Sequence, residues 1–272
     1  MNRVNKYIIA LVQMESYFLD IDNNFKKAVK AIEDAKRAGA KLVCFPEAFL
    51  TGYSAQRMDE AVAVAETIES NRIVELKKLA KKHEVFLLIP FLEKTYEGIK
   101  NSAYLIDDEG QVVGNYSKTH LISGEKQIIA PGNCFRVWDT KIGKIGCLIC
   151  YDLCFPEPAR LEAIEGAELI VVPSAWRGIR YYTQWWDSNV ACRAIDNVLY
   201  IAAINQVGNY KDSIFAGRSK VCDPTGIVIA QADGVREETL FCEIDLDRVK
   251  EVRTESTMLE DLREDLYSVR LN

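Results

Sequence analysis

The sequence predicts a layered α/β protein with mixed β-sheets. Apolar runs of strand length recur along the chain, and segments with helical periodicity separate many of them. A group of β-like segments between residues 102 and 138 contains a turn signal, Asp108-Glu109-Gly110, which predicts an antiparallel hairpin. Alternating strands and helices favour parallel pairing, so the sheets should contain both kinds of pair.

The first third of the chain predicts, in order, strand 7–14, helix 22–39, strand 41–45, helix 60–83 and strand 85–89. In the first helix, Phe25, Val29 and Ile32 have the spacing of one face, and Gly39 is a stop signal. The remainder predicts the hairpin 102–106 and 111–116, strand 135–138, strand 144–150, helix 156–166, strand 168–172, helix 181–197, strand 199–205 and β-segments 219–222, 227–230 and 240–244. A polar, charged tail follows.

The composition is that of an ordinary globular protein: 272 residues, 49% hydrophobic and 27% charged. No Gly/Ser/Pro-rich linker interrupts the chain, so we expect one domain over residues 1–272 with a short C-terminal tail. A net charge of −6 argues against nucleic acid or an anionic membrane as the main partner. The apolar stretch 8–12 is too short for a signal peptide, and no run approaches the roughly 18 residues of a membrane span. We therefore expect a cytoplasmic location.

Three apolar strands end in a polar, reactive residue. Glu47 follows the strand 42–45, Lys118 ends the segment 112–118, and Cys150 ends the segment 145–150. Strand ends are where open α/β sheets place ligands and catalytic groups. Taken singly, Glu47 could be a helix N-terminal charge, Lys118 a surface lysine and Cys150 a structural cysteine.

Most of the eight cysteines are expected to be reduced core residues. Cys150 differs because a strand, a turn and a predicted helix meet there, a setting that presents a nucleophile and directs backbone N–H groups toward an oxyanion. The spacing of Cys147, Cys150 and Cys154 also resembles metal ligands. We expect no metal, because side chains alternate along a strand and no Cys/His pair elsewhere completes a tetrahedral set.

A cysteine nucleophile usually relies on a histidine base, but the chain has only two histidines. His83 lies at a charged helix end and His120 in a loop, where solvation and packing are the ordinary roles. Glu47 is the natural substitute. Partial burial raises the pKa of a glutamate toward the value that a general base needs.

The supporting segments are Pro46-Glu47, Tyr116-Ser117-Lys118-Thr119-His120-Leu121 and Ile149-Cys150-Tyr151-Asp152-Leu153-Cys154-Phe155-Pro156-Glu157. Further matching segments are Thr51-Gly52-Tyr53, Glu125 before Pro131-Gly132, Val172-Pro173-Ser174-Ala175-Trp176, and Arg193-Ala194-Ile195-Asp196-Asn197 before Asn205-Gln206. In this order they resemble the nitrilase superfamily of carbon–nitrogen hydrolases, from about residue 7 to about residue 245.

The resemblance implies an α-β-β-α sandwich with two mixed β-sheets, usually paired into a homodimer, and no cofactor. It implies a catalytic triad of Glu47, Lys118 and Cys150, in which Cys150 attacks a small amide and a thioester forms. Glu47 would be the general base, and Lys118 and the backbone N–H of Tyr151 would stabilise the oxyanion. Ammonia would be released.

By the same resemblance, Glu125 matches a second glutamate that orients substrate in amidase-like members. Tyr53 and Trp176 match residues that line the substrate pocket. Many members carry arginine where this chain has Cys154, a change that leaves the three catalytic residues untouched.

Within the superfamily we expect an amidase, because members that act on nitriles usually have a longer C-terminal region. An N-carbamoyl amine or amino-acid amidohydrolase is the alternative. Arg177 and Arg180 could bind a substrate carboxylate there, although a solvated loop is the preferred interpretation. A nitrilase ranks below both, and a non-catalytic binding module on the same fold is the alternative from another class.

Overall fold

The computed structural model describes residues 3–210, 213–263 and 265–266 of the chain. In this part the strands are β1 (Lys6–Gln13), β2 (Ala40–Cys44), β3 (Phe86–Thr95), β4 (Gly98–Ile106), β5 (Val112–Ser117), β6 (Val137–Thr140), β7 (Gly143–Cys147), β8 (Leu169–Ser174), β9 (Tyr200–Asn205), β10 (Asn209–Tyr210), β11 (Ser213–Ile214), β12 (Lys220–Cys222), β13 (Val228–Gln231) and β14 (Glu238–Asp245). The α-helices are α1 (Ile21–Arg37), α2 (Met58–Ala63), α3 (Asn71–His83), α4 (Pro156–Ile164), α5 (Arg180–Asn197) and α6 (Leu246–Glu255), and a 3-10 helix spans Cys150–Cys154. Residues 267–272, the end of the predicted tail, lie outside the described residues.

The strands form two six-stranded sheets, and each sheet mixes parallel and antiparallel pairs. The first has the order β14-β1-β2-β3-β4-β5, in which β1, β2 and β3 are parallel and the flanking pairs are antiparallel. The second has the order β13-β12-β9-β8-β7-β6, with β7, β8 and β9 parallel. The predicted hairpin is confirmed as the β4–β5 pair.

Alternate residues of the first sheet face two different cores, as the period of a strand requires. On β1, Ile9 and Leu11 pack in a core shared with the second sheet, whereas Ala10 and Val12 pack in a core formed with α1 and α3. Helices α4 and α5 pack on the second sheet through apolar residues such as Trp186. The four layers are helices, sheet, sheet and helices, so the predicted α-β-β-α sandwich is confirmed.

The prediction of a single helix over residues 60–83 is wrong, because α2 and α3 are separate helices. Between them, the Glu66 N–H donates to Leu92 O at 3.0 Å and the Glu66 carbonyl accepts from the Lys94 N–H at 2.8 Å. These hydrogen bonds to β3 replace helical ones. The periodicity of the segment does not reveal them.

Other elements also differ from the predictions: β3 continues to Thr95 and β4 begins at Gly98, whereas the predicted strands end at residue 89 and begin at residue 102. The strand predicted over residues 144–150 ends at Cys147, and Cys150 begins the 3-10 helix with φ at +49°. Helix α6 lies in the polar segment that follows β14. The residues that α6 buries have helical spacing and are Leu246, Val249 and Val252.

Strands β2 and β5 point in the same direction, because each of the pairs β3–β4 and β4–β5 is antiparallel. Their carboxyl ends therefore lie at one edge of the first sheet, which brings Glu47 and Lys118 close together. No helix in the described part of the chain is both long and apolar enough to cross a membrane.

Candidate active site

Glu47 follows β2 and is completely buried. Its Oε1 accepts hydrogen bonds from Lys118 Nζ at 2.8 Å and Asn101 Nδ2 at 2.7 Å, and its Oε2 accepts from the Ala175 N–H at 2.9 Å. Burial raises the pKa of the Glu47 carboxyl above its usual value, and the positive charge of Lys118 opposes that rise. Each of these three groups donates a hydrogen bond to the carboxyl oxygens, so the contacts favour the ionised form of Glu47.

Lys118 follows β5 and is as deeply buried as Glu47. Its Nζ also donates to Glu125 Oε1 at 3.0 Å and lies 5.6 Å from the centre of the Tyr53 ring. Burial disfavours the ammonium, but the surrounding acidic groups, Glu47 first, outweigh it and hold the pKa of Lys118 well above its usual value. Lys118 is therefore a fixed cation beside the proposed base.

Glu125 lies in the loop after Lys118 and is completely buried. Its Oε2 accepts the Ile122 N–H at 3.0 Å, while its Oε1 receives Lys118 Nζ and, at 3.3 Å, Asn101 Nδ2. The contacts of Glu125 are thus with Lys118 and its surroundings.

Cys150 begins the 3-10 helix in the left-handed region of backbone conformation, at φ +49°. This uncommon conformation for a non-glycine residue presents the partly buried thiol at the sheet edge. The thiol is close enough to the Glu47 carboxyl for each group to influence the pKa of the other. Burial raises the pKa of the Cys150 thiol well above its usual value, Glu47 adds to the rise, and Lys118 opposes it.

Tyr151 occupies the first turn of the 3-10 helix. The first N–H groups of a helix have no partner within it, so the Tyr151 N–H is suited to bind an oxyanion next to Cys150.

Asp152 ties the Cys150 turn to the Lys118 segment. Its buried carboxylate accepts hydrogen bonds from the Ile149 N–H at 3.0 Å, the Tyr116 hydroxyl at 2.7 Å and the His120 N–H at 2.8 Å. The His120 ring stacks on Phe155 with centroids 3.9 Å apart. Its Nδ1 lies 2.9 Å from Asp152 Oδ1, so the ring joins packing to a polar contact with the same carboxylate.

A cavity of about 240 Å³ opens above Cys150 and Lys118. Its aromatic walls are formed by Tyr53, Tyr151, Trp176, Tyr182, Trp185 and Phe215. Cys154 and Arg177 also line it. Tyr53 and Trp176 thus lie where the sequence predicts pocket residues, while Glu47 and Glu125 are buried behind the cavity wall. The side chain of Arg180 lies outside what the structure describes.

A larger groove of about 620 Å³ lies between the edge strands β5 and β6, and its lining residues include Asn115 and Trp138 but none of the proposed catalytic residues. The smaller cavity is the better candidate site because it contains the thiol and the buried lysine. Within the described residues, no group of three or more His, Cys, Asp or Glu side chains could hold a metal ion.

Sequence reasoning missed three buried amides around Glu47. Asn101 donates to its carboxyl group, Gln206 Nε2 donates to its backbone carbonyl at 2.7 Å, and Asn205 Oδ1 accepts the Trp176 N–H at 2.7 Å. Asn205-Gln206 belongs to one of the segments that match the family, but the sequence does not show which residues these two side chains contact. An asparagine or glutamine at a strand end does not by itself indicate a functional site, because its hydrogen-bond partner is unknown until the neighbouring strand is known.

A protein-family model described as carbon–nitrogen hydrolase matches residues 8–254 of the chain. The 2-oxoglutaramate amidase of Bacillus subtilis is 34% identical over 96% of this chain and 100% of its own length. The N-carbamoylputrescine amidase of Arabidopsis thaliana is 33% identical over 93% of this chain and 91% of its own length.

Among solved structures, a variant of an amidase from Nesterenkonia sp. superimposes with a TM-score of 0.81 at 26% identity, covering 96% of this chain and 95% of that one. In that structure the acetamide moiety of fluoroacetamide is covalently attached to the active-site cysteine. The similarity therefore extends over almost the whole chain in both sequence and fold.

Proposed function

The chain belongs to the carbon–nitrogen hydrolase family, and we propose that within this family it is an amidase that cleaves small linear amides with Cys150 as its nucleophile. Assignment as an amidase-type enzyme follows from relatives that match over nearly their full length. The observation that carries the proposal is that Lys118 Nζ lies 2.8 Å from Glu47 Oε1 in a buried cluster and lines the same cavity as the Cys150 thiol.

In the proposed reaction, Glu47 accepts the thiol proton as Cys150 Sγ attacks the carbonyl carbon of the amide. Lys118 and the Tyr151 N–H stabilise the negative charge that develops on the carbonyl oxygen. Glu47 then returns the proton to the departing ammonia, and a thioester remains on Cys150. A water molecule that Glu47 deprotonates hydrolyses this thioester and regenerates the thiol.

The cavity supports a preference for apolar or anionic amides. Six aromatic side chains form its walls, and the charged residues that line it, Lys118 and Arg177, are both cationic. A substrate with an ammonium end would meet Arg177 and no carboxylate among the described lining residues, because the charge of Lys118 is already paired with Glu47 and Glu125. This argues against a carbamoyl amine, whereas an N-carbamoyl amino acid stays the second candidate because Arg177 could pair with its carboxylate.

Glu125 contacts Lys118 and lies behind the cavity wall, so we propose that it acts on the substrate through Lys118. Assembly into a homodimer and a cytoplasmic location stay predictions from the sequence.

The test is an ammonia-release screen over aliphatic and aromatic primary amides, ω-amides of dicarboxylic acids, N-carbamoyl amines, N-carbamoyl amino acids and nitriles. Cys150→Ala should reduce turnover by at least about 10⁴-fold, because loss of a nucleophile removes the covalent route. Cys192→Ala is the matched control, since Cys192 is an exposed thiol on α5, and it should keep full activity. Turnover that survives in Cys150→Ala excludes the proposed nucleophile.

A further inference from the structure

Asn101, in β4, touches three members of the proposed catalytic cluster. Its Nδ2 donates to Glu47 Oε1 at 2.7 Å and to Glu125 Oε1 at 3.3 Å. Its backbone carbonyl accepts the Lys118 N–H at 2.8 Å. We propose that Asn101 is a positioning residue that holds the Glu47 carboxylate in the orientation that receives the proton of Cys150. The proposal rests on the amidase function proposed above.

The neighbours of Asn101 fix the orientation of its amide. Both glutamate oxygens that it contacts are acceptors, so only the NH₂ group can face them. Its Oδ1 is buried and has no hydrogen-bond partner among the described residues. With the NH₂ group in this orientation, the amide directs its hydrogens at the two carboxyl groups.

The donors around Glu47 come from separate parts of the fold. Its Oε2 is held by the Ala175 N–H, next to the second sheet, and its Oε1 by Lys118 and Asn101 from the first. Without Asn101, Oε1 would keep only the ammonium of Lys118, which it shares with Glu125 and whose donors can rotate. The short amide on β4 supplies a second, rigidly placed donor, and the carboxylate plane is thereby fixed relative to Cys150.

Asn101 also stabilises the charged form of the base. A hydrogen bond to an ionised carboxylate favours ionisation, so its removal raises the pKa of Glu47. The titratable groups that interact with Glu47 are Lys118, Glu125, Cys150 and Tyr53. Asn101 is neutral, so a neutral replacement alters no charge in this set. A shift of the pH profile would then report the lost hydrogen bonds alone.

The test is Asn101→Leu, which keeps the approximate volume and removes both the donors and the unpaired acceptor. We expect kcat/KM to fall about ten- to a hundredfold, and the acid limb of its pH profile to move to higher pH by about one unit. Asn197→Leu is the matched control, because Asn197 is equally buried, also donates through Nδ2 and also has an unpaired Oδ1, but lies at the end of α5. It should leave the pH profile unchanged.

A second measurement does not depend on turnover. The rate of alkylation of Cys150 by iodoacetamide is followed against pH by mass spectrometry, with the exposed Cys192 as internal reference. In Asn101→Leu the acid limb of the alkylation rate of Cys150 should move to higher pH by the same amount as the acid limb of kcat/KM. The alkylation profile of Cys192 should not change. Asn101→Ser, which keeps one donor, should lie between Asn101→Leu and the wild type, and it serves if the leucine variant does not fold.

An unmoved acid limb in a folded Asn101→Leu or Asn101→Ser variant overturns the positioning role, even if activity falls. If the wild type cleaves no amide but the alkylation limb still moves, the amidase proposal fails and the role of Asn101 stands. If the wild type cleaves amides and the alkylation limb does not move, the amidase proposal stands and the positioning role of Asn101 fails.

Discussion

The two sides of the cavity are built differently. On the inner side, Glu47, Lys118 and Glu125 are at most 1% exposed, and each makes several hydrogen bonds. On the outer side, Trp185 is 50% exposed and is held by ring contacts such as the one to Tyr182, with centroids 5.3 Å apart. A charged group buried in low dielectric must be fully paired, whereas an apolar ring needs only contact. Under the proposed function, we therefore expect the inner side to determine the reaction and the outer side to determine which substrates bind.

Among the charged residues of the inner side, the largest effect should come from Glu47→Gln. The NH₂ group of glutamine cannot accept a proton, and it must face at least one of the donors that now bind the carboxylate. We expect turnover to fall by about 10²- to 10⁴-fold, the range of a general base. Glu93→Gln is the control, because Glu93 is a buried glutamate that binds the Tyr104 hydroxyl away from the site. Equal losses in both variants would contradict a catalytic role for Glu47.

Lys118→Met should reduce kcat by about 10²- to 10³-fold through loss of an oxyanion donor. It should also lower the free energy of unfolding by about 3–5 kcal/mol, because two buried carboxyl groups lose their cation. In the control Lys220→Met, the partner Asp187 is 37% exposed and can be hydrated, so the loss of stability should be smaller and activity should be kept. Urea unfolding and steady-state kinetics measure the two effects. Retained kcat in Lys118→Met would remove the lysine from the mechanism.

The pH profile should be asymmetric. Glu47 must be ionised to act as base, so kcat/KM should fall about tenfold per pH unit below the pKa of Glu47, which burial raises above the ordinary 4.5. No alkaline limb from Lys118 is expected below pH 10.5, because its acidic neighbours hold its pKa above that value. Circular dichroism at each pH separates titration from unfolding. An acid limb at or below pH 4.5 would contradict the assignment of the base.

The smallest effect should come from the outer side. Trp185→Ala should raise KM for an aromatic amide about three- to tenfold with little change in kcat, because a half-exposed ring supplies only part of its apolar contact. Ile195→Ala, at another half-exposed position of α5 outside the cavity, should change neither constant. A large fall of kcat in Trp185→Ala would show that the two sides are not independent.

Sequence patterns predicted the buried part of most strands because each carries its own apolar run, but they missed the joined ends of β3 and β4. They placed Glu47, Lys118 and Cys150 at strand ends, and the structure brings Glu47 and Lys118 together, although β7 ends before Cys150. The single helix over residues 60–83 was wrong because hydrogen bonds from Glu66 to β3 interrupt it. Such bonds depend on a partner that is distant in sequence.

Asn101 escaped prediction for a similar reason. Its role arises from its closeness to Glu47, 54 residues away, and to Glu125, 24 residues away. The left-handed conformation of Cys150 was also hidden, since no glycine or asparagine marks it. The resemblance to a family indicated Glu47, Lys118 and Cys150 as a candidate triad, but the local sequence does not specify how these residues are arranged in space.

The site is assembled across the two sheets, and this has a consequence for the order of folding. Glu47 and Lys118 are 71 residues apart in the chain, and Glu47 and Ala175 are 128 apart. Contacts of this separation require long loops to close, which slows folding more than it weakens the folded state. A chain in which only one sheet has formed would have much of its secondary structure, but its Cys150 thiol would not yet lie beside Glu47. During refolding, enzymatic activity should therefore return after the circular dichroism signal. The return of activity would then report the docking of one sheet on the other.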